Sequence, residues 1–204
     1  MADIACVLFD MDGVLCHYGF PLRLRIMAEA LGVPAEEIDA RLYRSGFDEA
    51  SDRGEIGADD YLSEAGRKLG CELPLDLWLA ARRRSIAPNL ETLGHAGRLS
   101  QRLDVAMLTN NNLLLKRHFA EVFPEAAALF GERAWFSAEF GGGKEGTAVF
   151  ARALDRLGRA PGETLFIDDS PEYIANAARA GLQTHLFEGL SGLSQAHPDL
   201  FPTA

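Results

Sequence analysis

Short apolar runs alternate along this chain with longer stretches whose apolar positions recur at helical spacing. "IACVLF" is apolar and rich in β-formers, which predicts a buried strand over residues 4–9. "PLRLRIMAEALG" places Leu22, Ile26 and Leu31 near helical spacing and stops at Gly32, predicting a helix over 21–32. "PAEEIDARLYRSG" opens at Pro34 with Glu36 and Glu37 early, where a helix start favours them. "DRGEIG" (52–57) is loop chemistry, and "ADDYLSEAGRKLG" (58–70) and "PLDLWLAARRRS" (74–85) read as two more helices. From about residue 17 to 86 the pattern is therefore helical only.

Beyond that point strands return. "DVAMLTN" (104–110), "AWFSAEF" (134–140), "TLFIDD" (164–169) and "LQTHLF" (182–187) read as strands. Helical patterns over 89–102, 113–123, 147–158 and 171–181 separate them. Alternating strands and helices imply βαβ units and a parallel sheet. The expected fold is α/β: a doubly wound parallel sheet over 1–16 and 87–204, with a small all-helical cap over 17–86 inserted after the first strand.

The strand ends carry the chemistry. In "LFDMDGVL" the buried strand runs straight into Asp10 and Asp12, which as alternate residues of an extended chain point the same way. "MLTN" ends on Thr109 and Asn110, "LFIDDS" on Asp168, Asp169 and Ser170, and "WFSAEF" runs through three glycines to Lys144. Doubly wound sheets bind ligands beyond the carboxyl ends of their strands, so these groups converge on one rim. Four carboxylates there repel, and burial raises their pKa values, which a divalent cation relieves. All-oxygen donors suit Mg²⁺, which pairs with substrate phosphate. Asp10, rigidly held at the strand end, suits a nucleophile that forms an aspartyl-phosphate. Asp12 suits the proton donor and acceptor. Thr109 and Asn110 offer donors to phosphoryl oxygens, and Lys144 a positive charge. Singly, each has a bland account: Asp169 and Ser170 suit a helix N-cap before Pro171, and a lysine after glycines is usually solvated. Jointly, at four strand ends in this order, they exceed what capping explains.

Composition narrows the partners. The 204 residues are 48% hydrophobic and carry a net charge of -10, which disfavours nucleic acid and anionic membranes but allows a small anion. Three cysteines without paired spacing (Cys6, Cys16, Cys71) fit reduced thiols in a cytoplasmic protein. No leader-like segment and no membrane-length apolar run is expected. Monomer and homodimer both fit.

These residues resemble the haloacid dehalogenase-like hydrolase superfamily. "DMDGVL" is similar to its first motif, "LTN" to its second, Lys144 to its third and "DDS" to its fourth, and the likeness spans nearly the whole chain. It is nearest the capped branch of small sugar-phosphate phosphatases and the N-terminal phosphatase domain of soluble epoxide hydrolase. The resemblance implies a Rossmann-like core and a Mg²⁺-dependent phosphatase of a small phosphorylated metabolite. Asp10 would be nucleophile and metal ligand, and Asp12 the acid/base with its main-chain carbonyl on the metal. Thr109 and Asn110 would bind the phosphoryl group, and Lys144 would orient Asp10. Asp169 would bind metal directly, with Asp168 behind it. Dehalogenases of the superfamily lack a carboxylate at the position of Asp12, so its presence favours phosphoryl transfer. The family often has proline after the lysine, where this chain has Glu145.

Two rivals follow. A phosphomutase on the same fold would return the phosphoryl group to a sugar. "GGGKEG" (141–146), with Asp168 some twenty residues on, matches a dinucleotide fingerprint in outline, which would make the protein an oxidoreductase. The cap would act as a lid hinged near 16–20 and 84–89, with specificity in the loop Arg53–Gly57, in Phe20 or Phe47, or in His17 and Tyr18.

Overall fold

The computed structural model describes residues 3–202; residues 1, 2, 203 and 204, the extremities of the expected core segments, lie outside it. Strand β1 (Cys6–Phe9) has all four residues buried. Together with β4 (Asp104–Thr109), β5 (Ala134–Phe136), β6 (Thr164–Asp168) and β7 (Gln183–Leu186) it forms one sheet in the order β5-β4-β1-β6-β7. Every pairing in that sheet is parallel, as the strand–helix alternation predicts. β1 lies at the centre, so its single polar continuation emerges mid-sheet.

Alternation along the strands divides the core. Val7, Phe9, Met107 and Ile167 face one side, covered by the helices Leu90–Leu99 and Pro124–Phe130. Leu8, Ala106, Leu108 and Phe166 face the other, beneath Ala148–Leu157 and Pro171–Arg179. Burial on both faces explains why these strands read as unbroken apolar runs.

Between β1 and β4 the chain leaves the sheet. Two short strands absent from the sequence reading, β2 (Cys16–Tyr18) and β3 (Ile86–Pro88), pair antiparallel and bracket an otherwise helical segment. They fall on both expected hinge stretches. Gly19 N–H donates to the Ser85 carbonyl at 2.7 Å and extends the ribbon. Above it, Ile26, Met27, Ile38, Leu42, Phe47, Tyr61 and Trp78 pack into the same apolar cluster as Phe9 and Met107.

Several elements depart from the sequence pattern for physical reasons. The helix expected after Pro34 widens at Asp39–Tyr43 into one π-helical turn, in which Arg44 N–H reaches the Asp39 carbonyl at 2.9 Å. The strand expected over 134–140 ends at Phe136. There the Glu139 carboxylate accepts from Phe136 N–H at 2.9 Å and turns the chain into a 3₁₀ segment, Ser137–Phe140. The helix expected over 113–123 breaks at His118 and stops before Pro124, which bars Phe123 from helical geometry and opens the helix Pro124–Phe130.

Candidate active site

Strand register brings the acids together. Phe9 pairs with Met107 and with Ile167, so Asp10 and Asp168, each one residue further on, end neighbouring strands side by side. Asp10 N–H donates to the Ile167 carbonyl at 2.9 Å, which fixes it at the rim. Asp10, Asp168 and Asp169 bring one carboxylate oxygen each within 4.8 Å of one another. Asp10 and Asp168 are buried, and Asp169 is exposed at the mouth.

Lys144 lies between the two buried acids. Its Nζ is 2.6 Å from Asp10 Oδ1 and 2.6 Å from Asp168 Oδ2, and the residue is 1% exposed. The glycine-rich loop that delivers it is pinned. Lys144 N–H donates to Asn110 Oδ1 at 2.9 Å, and Asn176 Nδ2 donates to the Lys144 carbonyl at 2.8 Å. Glu145 does not pair with Lys144; it accepts from Asn110 Nδ2 at 3.2 Å. The strand–turn–helix setting of a dinucleotide fingerprint is missing here. "GGGKEG" follows a 3₁₀ segment, the next helix starts only at Ala148, and the lysine is committed to two acids.

Charge counts define what the cluster wants. Three carboxylates against one ammonium leave an excess of about two negative charges when all are ionised. Burial pushes the Asp10 carboxyl well above its ordinary range, against the pull of Lys144 and with a further push from Asp168. Burial and the neighbouring Asp168 also raise Asp169. Burial alone would lower Lys144, but Asp10 and Asp168 outweigh it and keep the ammonium charged. An oxygen-only set with this excess fits a hard dication such as Mg²⁺. Asp168 spends Oδ2 on Lys144 and Oδ1 on Ser170 N–H at 2.8 Å, whereas Asp169 faces the opening.

Asp12 departs from the expected four-carboxylate cluster. Its side chain lies outside the trio and turns toward the cap, where Arg82 Nη2 donates to Oδ2 at 2.8 Å. Asn111 Nδ2 reaches the same oxygen at 3.4 Å, and the Cys16 thiol reaches Oδ1 at 3.4 Å. Asn111 also donates to Thr109 Oγ1 at 2.7 Å, which leaves the Thr109 hydroxyl proton to be donated. The Asn110 side chain, which also lines the cavity, is bound to the Lys144 loop and to the Tyr173 hydroxyl.

The sequence reading missed Arg82 and Asn111. Asn111 follows Thr109 by two in an extended stretch, a spacing that places both on one side. Arg82 lies four residues after Trp78, on the buried stripe of the helix Leu75–Arg84, where a charge calls for a partner.

Asp10, Asp12, His17, Tyr18, Thr109, Lys144 and Asp169 line a cavity of about 530 Å³. A second, of about 490 Å³, shares Asn110 and Tyr173 with it and is walled by Tyr43, Asp48, Asp52 and Arg53 of the helical segment. Phe47 is cap core at 5% exposure, and Phe20 sets its ring against Tyr43 at 4.7 Å.

A family model for haloacid dehalogenase-like hydrolases matches residues 4–181, and the chain belongs to that family. Solved structures agree on the fold. A HAD-like family hydrolase from Porphyromonas gingivalis superposes over 100% of both chains, with TM-score 0.81 and 24% identity. A HAD family enzyme from Bacteroides thetaiotaomicron covers 96% of this chain and 98% of its own, with TM-score 0.80 and 20% identity. The same enzyme in complex with magnesium and inorganic phosphate covers 89% and 93%, with TM-score 0.76 and 21% identity. A 2-haloacid dehalogenase from Pseudomonas syringae covers 97% of each chain at TM-score 0.64 and 20% identity. No curated protein sequence matches. Among the described residues no helix is long and apolar enough to cross a membrane.

Proposed function

We propose that this hydrolase is a Mg²⁺-dependent phosphatase of a small phosphorylated metabolite. The observation that carries the reading is Asp12: a second carboxylate on the same cavity as Asp10, braced separately from the acid trio. A dehalogenase has no use for a proton donor there, whereas phosphate ester cleavage does. The combined space of the two cavities suits a small metabolite rather than a polymer. The magnesium and phosphate bound by the Bacteroides enzyme on the same fold support the choice of cofactor.

Asp10, Asp169 and the Asp12 carbonyl would hold Mg²⁺, which when bound offsets the site's negative excess and draws in the substrate phosphate. Asp10 attacks phosphorus through a carboxylate oxygen as the bond to the ester oxygen breaks, and Asp12 gives that oxygen its proton. Asp12 then takes a proton from water, whose oxygen attacks the aspartyl phosphate. The bond from phosphorus to the Asp10 oxygen breaks, releasing inorganic phosphate and restoring the carboxylate. Lys144 steadies Asp10 and the developing phosphoryl charge, and the Thr109 hydroxyl donates to a phosphoryl oxygen.

Asp10→Asn tests this directly. The variant should keep its circular dichroism spectrum while inorganic phosphate release from a panel of phosphorylated metabolites with Mg²⁺ disappears. Normal turnover by the variant would remove Asp10 from the reaction. Appearance of an isomerised phosphate ester instead of free phosphate would make the protein a mutase.

A further inference from the structure

The helical segment reaches into the site through one buried guanidinium. Arg82 is 1% exposed, and its Nη2 donates both to Asp12 Oδ2 at 2.8 Å and to Asn111 Oδ1 at 3.1 Å. The guanidinium lies 4.2 Å from the centre of the Tyr18 ring. Tyr18 belongs to the β2–β3 ribbon and pairs there with Ile86. Ser85 Oγ donates to the Arg82 carbonyl at 2.8 Å, and the Ser85 carbonyl accepts from Gly19 N–H. Arg82 is thus built into the junction between helical segment and sheet, and its charged end grips Asp12.

We propose that Arg82 is a positioning residue that holds the Asp12 carboxylate in register with the leaving oxygen, and does so only while the cap is seated on the core. Three features carry this. Both Asp12 oxygens are held, Oδ2 by Arg82 and Asn111 and Oδ1 by Cys16, so the side chain has one orientation. Two of those holders, Asn111 and Cys16, sit on the core side of the junction; the cation alone comes from the cap. Arg82 is too enclosed to bind substrate itself, so its influence passes through Asp12.

The inference rests on the phosphatase reading and makes a prediction that reading alone does not. An alkyl phosphate needs a proton on its leaving oxygen, whereas p-nitrophenyl phosphate has a leaving group that departs without one. Arg82→Gln should lower kcat/KM on an alkyl phosphate by about 10²-fold, the lower end of what a positioned general acid contributes, and on p-nitrophenyl phosphate by less than about threefold. Arg82→Lys should restore part of the loss, since the charge returns while the planar guanidinium that reaches both Asp12 and Asn111 does not. In an Asp12→Asn background Arg82→Gln should cost nothing more, the mark of a residue acting through another. Equal losses on both esters, an additive loss in Asp12→Asn, or a raised KM at constant kcat would each overturn the proposal. Should Arg82→Gln fail to fold by circular dichroism, Arg82→Lys, which keeps the charge, must show the same alkyl-selective loss in smaller degree. A wild-type protein without turnover on either ester sinks the phosphatase reading and this inference together. An active wild type with equal losses sinks the inference alone.

Discussion

At the scale of single residues, the site depends on what is missing as much as on what is present. Gly13 has φ of +90°, and a Cβ built there would lie 2.1 Å from Asp169 Oδ2. The bare α-carbon of Gly13 makes room for Asp169. Gly13→Ala should therefore displace the exposed acid and weaken Mg²⁺ binding by about 10- to 100-fold, the range seen when groups that support a metal ligand are altered. Titration of the metal-free protein with Mg²⁺ by calorimetry checks it, and unchanged affinity would mean that Asp169 is no ligand. Most individual site residues were legible because each is a polar residue terminating an apolar strand, a pattern carried by local sequence. The direction in which Asp12 points was not. It goes with contacts to Arg82, 70 positions away, and Asn111, 99 positions away, and no local pattern encodes those meetings.

At the scale of elements, the sheet was readable and the seams were not. β1, β4 and β6 lie where their apolar runs place them, because strands buried on both faces leave no ambiguity of period, and the half-buried edge strand β7 falls within its expected stretch. The β2–β3 ribbon carries three residues a side with no alternation to betray it. The expected specificity loop is also a seam. Gly54, at φ of +77°, sits so close to the core that an added Cβ would be 2.4 Å from the Ala138 carbonyl oxygen. Ser137 Oγ donates to the Asp52 carbonyl at 2.6 Å beside it. Gly54→Ala should then cost more than the about 1–3 kcal/mol of left-handed strain that a non-glycine residue carries. Gly46 makes the control: its φ is +78° but nothing lies within 4 Å of its added Cβ. Urea unfolding of both variants separates the two effects. Equal losses would mean that helical segment and core do not rely on that contact.

At the scale of the whole molecule, charge ties the fold to the proposed metal. A chain of net charge -10 concentrates three carboxylates at the centre of its sheet, with one lysine among them. Asp10 titrates above its unfolded value, chiefly through burial. In the metal-free protein the protonated form of Asp10 therefore adds stability that is complete below the unfolded value, near pH 4, and is lost as pH climbs through the raised folded value. Asp169 is raised in the same direction. Mg²⁺ binds the ionised carboxylates, so protons compete with it at low pH and its stabilisation grows as they leave. The gap in Tm between protein with saturating Mg²⁺ and protein with chelator should widen steadily from pH 5.5 to pH 8. Differential scanning fluorimetry across that range, at constant ionic strength, measures it. A gap that stays flat or narrows with pH would show that the acids at 10, 168 and 169 tolerate one another without a dication, and that the metal binds elsewhere.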